Sequence, residues 1–528
     1  MKRLIHLSAP GTFAITWMLA MVILGYHLSQ SWDFPWISNP DQDLVFLRDG
    51  LRLFQLSKPG YGDHPGMIQM LIGAASQFLF KITTSGQHIS TDGEIGQQLL
   101  TDVNWQTVFQ IHKVLNGVAM ATLIAISSSL VAKLFGKPIG LTWGAMTAFS
   151  MGTTVLSYQL RNEFYSAYFF YIAGLLLWLK VKKSYLHGSA DSNKSISFCT
   201  FLITSSLLYL SMLAKVQVFP LIAGLNIGVV AAAVSRTGCD RKAWLGTAAK
   251  TVGLCLAIAL AIQHHSLSAV TIATTSSVLL FMLIPLIASC QLTTKKDKLT
   301  KRETIKVLSA FALPTAAYAL IVDRLNWQTI SWDPYAMSRY RIDQNGTCTI
   351  RCYAERIVDG ISGLFERSFD GLIIAQILSI AIPMMLLIAH VNANSRKQSQ
   401  PLQNGAIWPV SLCGAAIAMS MVASMRWPVD HYLPYQQPLL YLSLLIAAKD
   451  LWPKTFWKVL TTYALISLTL INLRYPPLAK KTFIKYTSEY LEERIYSHRL
   501  ISDTEPICWQ QHAGAEWDHS ILGRACRW

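Results

Sequence analysis

The sequence predicts an all-α polytopic membrane protein, and three observations predict it. Of its 528 residues 52% are apolar and 14% charged, with a mean hydropathy of +0.35, a balance suited to an outer surface that meets lipid. Apolar runs long enough to cross a bilayer, about 20 residues each, recur along the chain. Lys and Arg gather in alternate connections between those runs, as they do where loops lie in the cytoplasm.

The runs give about thirteen spans. They cover 11–30, 107–132, 138–157, 163–180, 197–214, 217–234, 246–262, 269–290, 305–322, 371–391, 406–424, 432–448 and 456–473. Lys2-Arg3, Lys133 with Lys137, Lys180 with Lys182-Lys183, Arg236 with Arg241-Lys242, Lys295 to Arg302, Arg396-Lys397, and Lys449 with Lys454 all fall on one side, the expected cytoplasm. The opposite side receives loop 31–106, the Arg161-Asn162-Glu163 turn, Lys215, loop 323–370, Arg426 to His431 and the tail from Arg474. The N-terminus is thus expected inside and the C-terminus outside, in a bacterial inner (plasma) membrane. His27 to Trp32 lacks a small-residue cleavage pattern, so the first span reads as an uncleaved signal anchor. The organisation expected is a membrane module over 1–473 and a small external cap over 474–528.

The net charge of +16 is carried largely by the cytoplasmic connections, which argues against nucleic acid as a partner. Cys348, Cys352, Cys508 and Cys526 are expected outside, where disulfides are permitted in any of three connectivities. No His stands at ligand spacing beside them, so a zinc site is not expected.

Chemistry concentrates on the external side. After Asn39-Pro40, an N-cap and first-turn pair, come Asp41 and Asp43, carboxylates that favour the positive end of a helix dipole. Leu44, Leu47, Leu51 and Phe54 then share one helical face, with Arg48, Asp49 and Arg52 elsewhere, as in a helix lying in the interface. That helix would hold Asp41 at the level of lipid head groups, where a carboxylate can accept a proton from a nucleophile. Asp63-His64-Pro65 forms a turn, and Met67 to Phe80 is apolar but short for a span. Arg161 and Glu163 read equally as an interface ion pair of little worth or as a functional pair. Lys215 either snorkels or binds phosphate. Arg426 keeps its charge at any relevant pH and suits bidentate phosphate binding. His431 and Tyr432 follow it closely, and Asp430 either orients His431 or joins the acidic group.

In this order these elements resemble the GT-C superfamily of membrane glycosyltransferases, above all family 39 and the protein O-mannosyltransferase-like members, and are also similar to the aminoarabinose lipid A transferases. The pieces that carry the resemblance are Pro40-Asp41-Gln42-Asp43, Lys58-Pro59-Gly60, His64-Pro65-Gly66, Arg161-Asn162-Glu163-Phe164, Lys215, and Arg426 to Pro434. Gln42 stands where the family more usually has Glu, and Gly66 replaces a second Pro. The resemblance covers roughly residues 1–240 and 405–450, and it implies a GT-C fold with interfacial helices in the first external loop. It implies inverting transfer of a sugar from a polyprenyl-phosphate donor to a lipid, polysaccharide or protein acceptor. Asp41 would be the general base, Asp43 its reserve, and Glu163 a supporting acid. Lys215, Arg426, His431 and Tyr432 would hold the donor phosphate, with His64, Arg161 and Lys113 as substrate-binding candidates. No cofactor is assigned with certainty. Whether a divalent cation is required is open, since Asp41, Asp43 and Glu163 could hold one with water ligands, although family 39-type enzymes do not generally need one. A transporter or flippase of lipid-linked sugars is the competing class, and its usual internal repeats and mid-bilayer charges are not evident in the sequence.

Overall fold

A computed structural model of the chain describes residues 2–32, 43–56, 66–84, 103–186, 198–214, 350–368 and 430–451. It also describes positions 305, 309, 310, 313, 314, 317, 412, 416 and 462. Among the described residues every element is helical. Two of the described helices hold stretches long and apolar enough to cross a membrane, Pro10–Gln30 and Thr107–Phe135.

The first of these belongs to α1 (Lys2–Gln30). Two shorter helices follow, α2 (Asp43–Phe54) and α3 (Met67–Thr83), within the segment expected to form the first external loop. The second long helix, α4 (Val103–Phe135), runs antiparallel to α1. Lys113 Nζ donates to Ser31 O at 2.8 Å, just beyond the end of α1, while Ser128 Oγ meets Thr16 Oγ1 at 3.0 Å a span away. Between those ties Trp17 Nε1 donates to Thr122 Oγ1 at 3.2 Å. Fifteen residues of α1 therefore register against fifteen of α4, roughly 22 Å of helix.

The chain reverses at Gly136, whose φ of +110° is a conformation L side chains rarely adopt, and enters α5 (Lys137–Ala148). The apolar run expected as one span over 138–157 is instead two helices, with α6 (Met151–Tyr158) set off by an extended Ser150. Ser150 Oγ accepts from Thr153 N at 3.3 Å and Gln437 Oε1 from Gly152 N at 2.9 Å, so the break costs no unpaired first-turn amide at those two positions. Hydropathy runs unbroken across the junction, which is why the pattern did not reveal it.

Next come α7 (Glu163–Leu186) and α8 (Phe198–Ala214), joined where Ser211 Oγ donates to Ser166 O at 2.6 Å. Ser205 Oγ of α8 donates to Ala310 O at 2.8 Å, the described link to the central part of the chain. Loop 323–370 ends in α9 (Ile350–Ser368), an amphipathic helix with Glu355, Val358 and Asp359 exposed and Leu364 buried.

The late run expected over 432–448 opens as a 3-10 helix, Asp430–Tyr435, before α10 (Gln437–Leu451). Its prolines explain the delay. Pro434 and Pro438 lack amide protons, and their carbonyls accept from elsewhere: Tyr171 Oη donates to Pro434 O and Trp143 Nε1 to Pro438 O, both at 2.8 Å. The segment is thereby pinned to α5 and α7. It also lies against α6, where a Cβ on Gly152 would stand 2.9 Å from Pro434.

In α2 the expected apolar face is real, with Leu47 and Leu51 buried, but Phe46 and Asp49 are buried as well. Asp49 thus departs from the polar face expected of it. Beside it α3 packs so closely on α2 that a Cβ on Gly50 would meet the backbone of Gly73 at 2.8 Å. Gly50→Val is expected to force the two helices apart and lower stability by about 1–3 kcal/mol, read as a fall in melting temperature in detergent. An unchanged melting temperature would mean that this crossing is not close in solution.

Large apolar side chains remain exposed along α1 (Ile15, Met18, Val22) and α3 (Leu71, Phe78, Ile82). Interior aromatics fill the centre, with Phe164 stacked on Tyr168 at a centroid distance of 4.1 Å.

Candidate functional site

One end of the helical assembly collects polar groups from many elements. The described antiparallel pairing puts there the C-terminal ends of α1 and α6 and the N-terminal ends of α3, α4 and α7. Lys133 and Lys137 lie at the other end, where α4 passes into α5.

The turn between α6 and α7 is the centre. Gln159 leaves α6 in an extended conformation, and its Oε1 accepts from Arg161 Nε at 2.8 Å. Arg161 Nη1 stands 3.7 Å from Glu163 Oε1, a Coulombic pair without hydrogen-bond geometry. Glu163 opens α7 and is wholly buried, so its charge meets the positive end of that helix dipole. The helix that it opens reaches the 3-10 segment through Tyr171, whose Oη donates to Pro434 O. The Arg161/Glu163 pair, weighed from sequence as a membrane-interface pair or a functional one, is buried.

Asn162 works on a different helix. Its Oδ1 accepts from Gln69 N at 3.1 Å. Gln69 is the third residue of α3, and the N-cap position of that helix is Gly66, which offers no side chain. A turn distant in sequence thus supplies the cap that α3 lacks locally. The other half of the amide, Nδ2, is buried without a hydrogen-bond partner.

Gln69 continues the network with its side chain. Nε2 donates to Asn116 Oδ1 at 2.8 Å and to Arg161 O at 3.0 Å. With two oxygens fixing Nε2, Oε1 must face His112, which therefore donates from Nε2 at 2.7 Å. In its neutral form the imidazole then keeps Nδ1 unprotonated, and that atom is buried without a partner. Asn116 Oδ1 takes a second bond from Tyr165 Oη at 2.6 Å, joining α4 to α7. All four of these side chains are buried. Such networks specify one arrangement, because each group left unpaired costs about 1–3 kcal/mol.

Two further ties hold the rim. His27 Nδ1 and Tyr158 Oη stand 3.2 Å apart, linking α1 to α6. Lys113, named as a substrate-binding candidate, is buried with its ammonium on Ser31 O and 4.6 Å above the centre of the Phe109 ring. Its cation completes the C-terminal end of α1.

Of the other candidates, Tyr432 is buried in the 3-10 segment that adjoins α6 and α7. Asp43 is the first residue of α2, and its side chain, like that of His431, lies outside the described residues. Asp41, His64, Lys215 and Arg426 lie outside them altogether, as do Cys348, Cys508 and Cys526. Among the described residues no three His, Cys, Asp or Glu side chains cluster as a metal site would. Sequence reasoning missed Gln69, His112, Asn116 and Asn162. The available signal was polar side chains inside apolar helical runs, where they are retained for a partner or a task.

In comparisons with protein-family models, curated proteins and solved structures, no match to this chain was found.

Proposed function

We propose that the chain is a many-span membrane glycosyltransferase, with about thirteen spans, acting on the external face of a bacterial inner membrane. The N-terminus would lie inside and the C-terminus outside. The donor is a polyprenyl-phosphate or polyprenyl-diphosphate sugar, because nucleotide sugars are cytoplasmic and the assigned site is not. The single observation that best supports the reading is the meeting at Glu163 of elements far apart in sequence. Asn162, its neighbour, caps the first-loop helix α3, and Tyr171, further along the helix that Glu163 opens, donates to Pro434 O in the late segment Asp430–Tyr435. Exposed apolar side chains on α1 and α3 agree with lipid contact.

In the proposed reaction an acceptor hydroxyl attacks the anomeric carbon from the face opposite the phosphate. Asp41 takes the hydroxyl proton as the new carbon–oxygen bond forms. The bond from the anomeric carbon to the phosphate oxygen breaks, and its electron pair leaves with the lipid phosphate. Arg426, with Lys215, His431 and Tyr432, offsets the charge that develops there. Configuration is inverted because there is a single displacement.

The test is a transfer assay in proteoliposomes with radiolabelled polyprenyl-monophosphate and polyprenyl-diphosphate sugars. Label appearing on an acceptor supports the enzyme. Label crossing the membrane still attached to its lipid, with none transferred, would establish the flippase reading instead. Within the active assay, Arg426→Ala should raise the apparent KM for donor roughly tenfold, the loss of a charge-assisted hydrogen bond. An equal rise in the acceptor KM would remove Arg426 from the phosphate site.

A further inference from the structure

The hydrogen bonds around Gln69 and Asn162 join two segments that the proposed reaction uses but does not explain how to align. One is the first-loop helix α3, which begins three residues after His64; the other is the turn that presents Arg161 and Glu163. The joint is reciprocal. The turn gives α3 its cap through Asn162 Oδ1 and Gln69 N at 3.1 Å, and α3 returns a bond from Gln69 Nε2 to the turn at Arg161 O, 3.0 Å. The same Gln69 amide is then braced by Asn116 and His112 on α4, so it cannot turn away without breaking the rest. The cap is the one hydrogen bond described for the Asn162 side chain, whose Nδ2 is buried without a partner. The residue is thus accounted for by its acceptor oxygen.

We propose that Asn162 and Gln69 are positioning residues that key the packed first-loop helices α2 and α3 to the Glu163 turn, so that Asp43 at the start of α2 and Glu163 at the start of α7 act on one substrate. The assignment rests on the glycosyltransferase reading. Neither residue is asked to touch substrate. Their effect falls on turnover rather than donor affinity, because misplacement of reacting groups by about 1 Å costs up to roughly a hundredfold in rate.

Three substitutions separate the parts. Asn162→Leu removes the capping oxygen, Asn162→Asp keeps it at the positive end of α3, and Gln69→Met leaves the capped backbone amide while deleting the side-chain bonds. Each protein is followed by hydrogen–deuterium exchange over the peptide spanning Gly66 to Met70 and by steady-state transfer from a labelled polyprenyl-phosphate sugar. The expected result for Asn162→Leu is at least tenfold faster exchange at the start of α3 and a ten- to hundredfold lower kcat with donor KM within twofold. Asn162→Asp should restore both. Should Asn162→Leu fail to fold, Gln69→Met carries the test, with kcat lowered at least tenfold and donor KM kept. Faster exchange with unchanged kcat, or a kcat loss that Asn162→Asp does not rescue, would overturn the positioning role. Wild-type protein that transfers no sugar while Asn162→Leu still speeds exchange would overturn the glycosyltransferase reading and the role with it, leaving only a structural cap.

Discussion

Asp41→Asn should leave donor binding intact and lower kcat by roughly 10²–10⁴-fold, the range over which a positioned general base contributes. The substitution is nearly isosteric. It keeps a polar side chain at position 41 and removes the proton-accepting capacity proposed for it. Donor KM measured alongside kcat separates this from a binding defect, since a base used only in the transition state lowers kcat and kcat/KM together. Asp43→Asn is the control, because Asp43 opens α2 and Asp41 stands two positions before it in the sequence. Should Asp43→Asn abolish turnover and Asp41→Asn spare it, the base is Asp43.

Glu163→Gln is the second large effect, and it has two components. The carboxylate is wholly buried beside a guanidinium that is itself mostly buried. Breaking a buried pair by neutralising one partner typically costs about 3–5 kcal/mol. The 3.7 Å separation and the retained bond from Arg161 to Gln159 should keep the loss at the lower end of that range. Turnover should also fall by about 10²-fold if the carboxylate supports the first-loop base. The double variant Arg161→Gln with Glu163→Gln distinguishes them. Removing both charges should recover much of the melting temperature and none of the kcat. Recovery of kcat with stability would assign Glu163 to the fold alone.

The helices of the first half were legible because their apolar periods are long and unbroken. The expected spans 11–30, 107–132, 163–180 and 197–214 each fall within, or within a residue of, a single observed helix, and both short first-loop helices appear where Leu47 with Leu51 and the Met67 to Phe80 run predicted them. What hydropathy could not register was geometry made by contacts between elements. The break at Ser150 is stabilised by Gln437, and the delayed start of α10 by hydroxyl and indole donors on other helices. Asp49 stands off the apolar face of α2 on a helical projection, yet it is buried. In the site, Glu163 and Tyr432 stood out by residue type and order, whereas Gln69, His112 and Asn116 are ordinary until their partners are known. Elements further along the chain, including most of the expected spans, lie outside the described residues.

The caps borrowed from afar bear on the order in which the chain is made. The amide at the start of α3 receives its acceptor from a residue 93 positions later, and that at the start of α6 from one 285 positions later. A ribosome adding about 5–20 residues per second would leave the first of these waiting several seconds and the second longer still. During that interval α3 has no side-chain cap of its own, and its first turn must borrow water or lipid head groups. The amino-terminal half of the assembly is therefore completed from behind, and a nascent chain stopped before Gln437 would carry α6 without the contact that finishes it.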